Sequence, residues 1–141
     1  IYTMTDSQFV ELIQPELHYQ QYLNQELQNS TDLNLSSLGV RRKAGAERYM
    51  AELKVAIPDL KWLNSLLSPL HQQKIDVLAN SGLNYRQHLM NMLVETDQVI
   101  IAHHVKAIGQ GGLQNVNLRR WAEQKIDYLH QNLNETQALK P

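Results

Sequence analysis

The segment LNYRQHLMNMLVETDQVIIAHHVKAI, residues 83–108, decides how the whole chain is read. One seam through it runs Leu89, Leu93, Thr96, Ile100, His103 and Ala107; a neighbouring seam runs Met90, Val94, Asp97, Ile101, His104 and Ile108. Steps of three and four keep side chains on one side of a helix, whereas a strand would alternate. Gly109-Gln110-Gly111-Gly112 stops the pattern. Glu95, Thr96, Asp97 and Gln98 interrupt the apolar run, so it falls short of the roughly 18 consecutive apolar residues of a membrane span.

The same periodicity extends outward in both directions. Asp6 and Ser7 are candidate caps for a first helix with the stripe Phe9, Ile13, Leu17, Tyr22, Leu23 and Leu27; Pro15 either kinks it or marks a start near Gln14. The polar stretch 29–37 reads as a loop. A second helix is predicted over 38–56, with Val40, Ala44, Tyr49, Leu53 and Ala56 on its buried side, closed by Pro58-Asp59. Pro69 breaks the next run into a short helix over 59–67 and another over 69–79, with a turn at Asn80-Ser81-Gly82. Asn115 or Asn117 caps a last helix reaching about Gln137, with Leu118, Ala122, Ile126, Leu129 and Leu133 as its stripe and Trp121 beside it.

Each helix has one apolar stripe to bury against another. The expected architecture is one all-α domain over 1–141: an up-and-down four-helix bundle, with a short broken helical segment between the second and third long helices.

The chain has 141 residues, a net charge of −1 and no cysteine. Near-neutral charge removes the basic excess that a dedicated nucleic-acid binder uses, and the missing cysteine excludes disulfides, thiolate metal sites and thiol catalysis. Gly109 to Gly112 lacks the preceding strand and following Lys-Ser or Lys-Thr of a phosphate loop, and no serine sits in a nucleophile elbow.

Histidine is the remaining chemical resource. Asp97, His103, His104 and His130 are the candidate ligands for a transition metal inside the bundle, since imidazole and carboxylate together suit such ions. Asp97 and His104 share a face but stand two turns, about 10 Å, apart along the axis. The preferred reading holds one histidine at the core boundary by a hydrogen bond and leaves the other at the surface. Glu-x-x-His, the di-iron bundle signature, does not occur. Arg41-Arg42-Lys43 and Arg119-Arg120 read as solvated basic clusters partly neutralised by Glu47, Glu52 and Glu123. Trp62 and Trp121 read as bundle packing, with an exposed Trp62 as the alternative anchor for a protein partner or for self-association.

Taken in order, these pieces resemble the bacterial family called domain of unknown function 4142. Asp6-Ser7-Gln8-Phe9-Val10 is similar to its opening acidic-x-x-Phe-Val, and Val40-Arg41-Arg42-Lys43-Ala44 to its Val-x-x-x-Ala. Leu78 through Tyr85 is similar to its Leu-x-x-Leu-Ser-Gly-x-x-Phe-Asp before a long helix. Met92-Leu93-Val94, Asn132-Leu133 and Ala138-Leu139 resemble later family positions. The resemblance implies a ferritin-like bundle and an exported protein, periplasmic or associated with the outer membrane. A removed secretory or lipoprotein leader would account for a first residue of Ile1. The family's histidines fall at about Ala51, Asp97 and Asn132 here, so no metal role carries over. The expected function is that of a non-catalytic cell-envelope protein acting through its surface, without a cofactor. The alternatives are a metal-binding or oxidoreductase bundle and an oligomerising partner-binding module.

Overall fold

The computed structural model describes residues 3–62, 67–109 and 111–140. Five α-helices account for most of them: α1 (Asp6–Gln28), α2 (Leu33–Ala56), α3 (Pro69–Ala79), α4 (Tyr85–Ile108) and α5 (Val116–Leu139), with a 3-10 turn at Gly82–Asn84. Among the described residues there is no strand, only a single bridge between Met4 and Leu113. Among the described residues no helix is long and apolar enough to cross a membrane.

Local chemistry sets the ends of each helix. Thr5 caps α1 in a reciprocal box with Gln8, Gln8 N–H donating to Thr5 Oγ1 at 3.1 Å and Thr5 N–H to Gln8 Oε1 at 2.9 Å. Asp6 and Ser7, the expected caps, stand one step later, inside the first turn. The helix runs unbroken through Pro15, whose missing N–H deprives only the carbonyl of exposed Glu11 of its helical donor. Asp32 Oδ1 accepts from the N–H groups of Asn34 and Leu35, so α2 begins at Leu33, within the stretch expected to be a loop. Ser36 Oγ then donates to the Gln28 carbonyl at 2.8 Å and ties the new helix to the old one.

Helix α3 starts and stops where Pro69 and Asn80 predict, with Ser68 as its cap. The short helix expected over 59–67 does not form in its described part. Residues 59–62 and Leu67 are turn or irregular, and 63–66 lie outside the described residues. Gly82 supplies the left-handed turn at φ +55° that re-aims the chain into α4. Asn115 caps α5. Met4 exchanges backbone hydrogen bonds with Gly112 and Gln114, which holds the N-terminal segment to the α4–α5 connection.

α1 packs on α2 and α4, α5 on α4 and α2, and α3 chiefly on α4, giving a bundle-like arrangement. The α1 and α2 backbones approach closely at Gly39, where an added Cβ would stand 2.3 Å from the backbone nitrogen of Gln28. Gly39→Ala is therefore expected to cost about 2 kcal/mol or more, read as a lowered urea midpoint with an unchanged slope, because two backbones must separate.

Burial corrects two of the expected stripes. On α1, Phe9, Ile13, Leu17, Leu23 and Leu27 are inside, but Tyr22 is 37% exposed and Tyr19 takes the buried place. On α2, Val40 is 49% exposed and Ala44 is also at the surface; the inward face runs through Leu35, Leu38, Arg42, Tyr49 and Leu53. The expected stripe had followed apolar residues and so avoided the arginine.

The core has two parts. Phe9, Ile13, Leu17, Tyr49, Leu53, Ile100, Leu118 and Leu129 belong to the first; Tyr19, Leu23, Leu27, Leu35, Leu38, Leu89, Met90 and Leu93 belong to the second. On α2, α4 and α5 the chain passes from one part to the other through buried polar residues: Arg42, then Thr96 and Asp97, then Asn132 and Thr136. Gln20 and Asn24 of α1 supply the fourth side of this layer.

Candidate functional site

The polar layer is organised by Arg42, whose side chain is 1% exposed, and Asp97, at 2%. The guanidinium grips the carboxylate with both ends of its fork, Nη2 to Oδ1 at 2.6 Å and Nη1 to Oδ2 at 2.9 Å. Its Nε donates to Asn24 Oδ1 at 2.8 Å, and Nη1 also reaches Thr136 Oγ1 at 2.9 Å and the Asn132 carbonyl at 3.3 Å. Gln20 Nε2 donates to Asp97 Oδ1 at 2.8 Å, and Thr136 Oγ1 donates to the Asn132 carbonyl. One charge pair thus draws partners from α1, α2, α4 and α5. A buried pair needs such additional partners, because desolvation otherwise exceeds the Coulomb attraction.

Arg42 was expected in a solvated cluster. Of its neighbours, Arg41 is exposed as expected, with a long contact of 3.8 Å to Glu135, while Lys43 is half-buried and donates to Gln25. Arg42 differs because it faces inward on α2, opposite the carboxylate of α4. The sequence signal was Asp97 itself, an acidic group on a mostly apolar seam, for which a buried cation is a suitable partner.

Two turns along α4, His104 lies fully buried in an aromatic pocket. Phe9 meets it edge-on at 5.4 Å between ring centroids, with Tyr49 at 5.6 Å and Trp121 at 6.2 Å. The Tyr49 hydroxyl stands 2.5 Å from His104 Nε2. Burial, reinforced by nearby His103, lowers the His104 pKa to about 4, so the ring is neutral at pH 7. Burial, with a further contribution from Tyr128, raises the Tyr49 pKa well above 10. The tyrosine therefore keeps its proton and donates it to Nε2, which places the imidazole hydrogen on Nδ1, an atom without a hydrogen-bond partner. Tyr128 is packed next to Tyr49, its hydroxyl filling the space left by Gly45, where a Cβ would come within 2.7 Å.

The four candidate ligands occupy different surroundings. Asp97 is held by Arg42 and Gln20, and His104 Nε2 by Tyr49. His103 is half-buried; burial lowers its pKa, Glu16 opposes the shift and Lys106 adds to it. His130 is exposed on α5. Among the described residues no group of three or more His, Cys, Asp or Glu side chains is placed to hold a metal ion. Trp62 is half-buried against the first core cluster, with Lys54 Nζ 5.8 Å from its ring centre. A cleft of about 580 Å³ opens at the far end of the bundle, between Thr5-Asp6-Ser7, 56–60 and Gln114-Asn115, away from the polar layer.

Comparison of the chain with protein-family models, with curated proteins and with solved structures finds no match to any of them.

Proposed function

We propose that this is a non-catalytic, exported bacterial cell-envelope protein that acts through its surface, built as a ferritin-like four-helix bundle in which α3 is an added segment. The observation that carries this reading is that the acid and the imidazole nitrogen best placed for chemistry are already engaged by other side chains. Both oxygens of Asp97 are engaged by Arg42, and His104 Nε2 is capped by Tyr49. A redox or hydrolytic centre would need such groups open toward a shared space. The mutual packing of α1, α2, α4 and α5 supports the four-helix description, and the Leu78–Tyr85 passage ahead of α4 supports the likeness to the family of exported bundles.

Fractionation of cells expressing the protein from its own gene tests the location; recovery in the periplasm or envelope is expected, and recovery in the cytosol overturns it. Metal analysis of protein prepared without a histidine tag tests the chemistry. Substoichiometric metal is expected, whereas stoichiometric iron, copper or zinc that is lost in His104→Ala would replace this reading with a metal-dependent one.

A further inference from the structure

Helix α3 is fastened differently from the other four. Its buried residues are His71, Ile75 and Leu78, and its main packing is on α4. Ile75 and Leu78 join the second core cluster with Tyr19, Leu23, Leu89, Met90 and Leu93. His71 lies flat on Tyr19, with ring centroids 4.3 Å apart and planes 8° from parallel. Its Nε2 meets Glu16 Oε1 at 3.0 Å, while Thr96 Oγ1 of α4 donates to the other oxygen of Glu16 at 2.9 Å. A single carboxylate of α1 therefore links α3 to α4. Lys74 of α3 adds a contact to exposed Glu95 at 2.9 Å and lies 5.9 Å from the centre of the Tyr19 ring, partly open to solvent, where such contacts contribute little.

The polar atoms under α3 oppose its docking. Tyr19 is 2% and His71 5% exposed, yet among the described residues Tyr19 Oη and His71 Nδ1 have no hydrogen-bond partner. Each regains water when the cover lifts, which lowers the free energy of opening. On the outer side of α3, Leu70 and Val77 are 60% and 61% exposed. The other four helices meet across the Arg42–Asp97 layer, in which α3 has no part.

We propose that α3 is a strap that lifts as a unit from the α1–α4 face while the rest of the bundle stays folded, baring the apolar trough around Tyr19. The device stands whether or not the protein is exported. It predicts that the lifted state is a regular member of the native ensemble, reached by local rather than global unfolding.

Hydrogen exchange followed by mass spectrometry on the whole chain tests it. Amides of α3 are expected to exchange roughly 100-fold faster than those in the middle of α4. Tyr19→Phe removes a stranded hydroxyl and should slow α3 exchange about tenfold. Ile75→Ala removes the central apolar anchor and should speed α3 exchange tenfold or more, while leaving α1 and α5 unchanged. Wild-type protection of α3 equal to that of α4, acceleration of all helices together by Ile75→Ala, or an unchanged α3 rate in Tyr19→Phe would each overturn the proposal.

Discussion

Replacing Arg42 with Met is expected to destabilise the protein by about 3–5 kcal/mol, a large share of the stability of an ordinary domain. The loss comes less from the missing attraction than from what remains. Asp97 would keep a carboxylate inside the bundle with Gln20 as its one remaining donor, and Asn24 Oδ1 and Thr136 Oγ1 would lose the guanidinium N–H groups they accept from. Arg42→Lys keeps the charge but presents a point instead of a fork, and an intermediate loss is expected. The decisive comparison is the double variant Arg42→Met with Asp97→Leu. It strands no charge, so it should be more stable than Arg42→Met alone by about 2 kcal/mol, although Asn24 and Thr136 remain short of partners. Urea titration of wild type, Arg42→Met, Asp97→Leu and the double variant gives the coupling energy. A double variant no better than the single one would show that the pair does not act as a unit.

Stability should fall with acid through His104, and the sign follows from its lowered pKa. In the unfolded chain the ring titrates near its ordinary value of 6.5; in the fold, burial and His103 bring it to about 4. Between these values the unfolded state binds the proton and the folded state does not. The stabilising contribution is therefore complete above pH 6.5 and is lost progressively as pH falls toward 4, by about 3 kcal/mol in all. His104→Gln isolates this effect, because an amide oxygen can still accept from Tyr49 but does not titrate in this range. The variant should be less stable than wild type at pH 7, and the gap should close as the pH approaches 4. Burial also lowers the pKa values of His18 and His103, so their contributions have the same sign and remain in both proteins. Parallel stability curves for wild type and variant across this range would show that His104 is not held neutral by the fold.

The Arg42–Asp97 layer also bears on how the helices choose their register. Apolar stripes slide over one another at small cost, while a bidentate pair with fixed partners on four helices is satisfied in one alignment. A register shift of one turn on α2 would move Arg42 about 5 Å from Asp97. The double variant therefore has a second use. Broadened amide resonances in that protein would show that specificity was lost along with the charges.

Local chemistry made most of the fold legible. A helix is specified by neighbours within a few residues, so Pro69 and Asn80 bound α3, the glycines after Ile108 end α4, and Asn115 starts α5, without reference to the rest of the chain. The same reasoning put Asp97 and His104 on one face of α4 but left open which of His103 and His104 turns inward. The beginning of α2 was also local, written in the Asp32 cap, but the polar residues 34, 36 and 37 resembled a loop more strongly than that cap resembled a start.

Tertiary structure decided which side of α2 faces inward. That helix carries an apolar line through Val40 and Ala44 and another through Leu35, Leu38, Tyr49 and Leu53 that includes Arg42. Periodicity alone favours the line without a charge, because burying an unpaired arginine is prohibitive. The choice reverses only when Asp97, Asn24 and Thr136 arrive from three other helices to receive the guanidinium, and those arrivals are long-range. The state of His104 has the same origin: the residue is local to α4, but its neutrality and its partner come from rings on α1, α2 and α5. The sequence by itself determined where most of the long helices start and stop. Only their assembly determined which polar groups could be buried, because a buried polar group depends on partners that no local pattern contains.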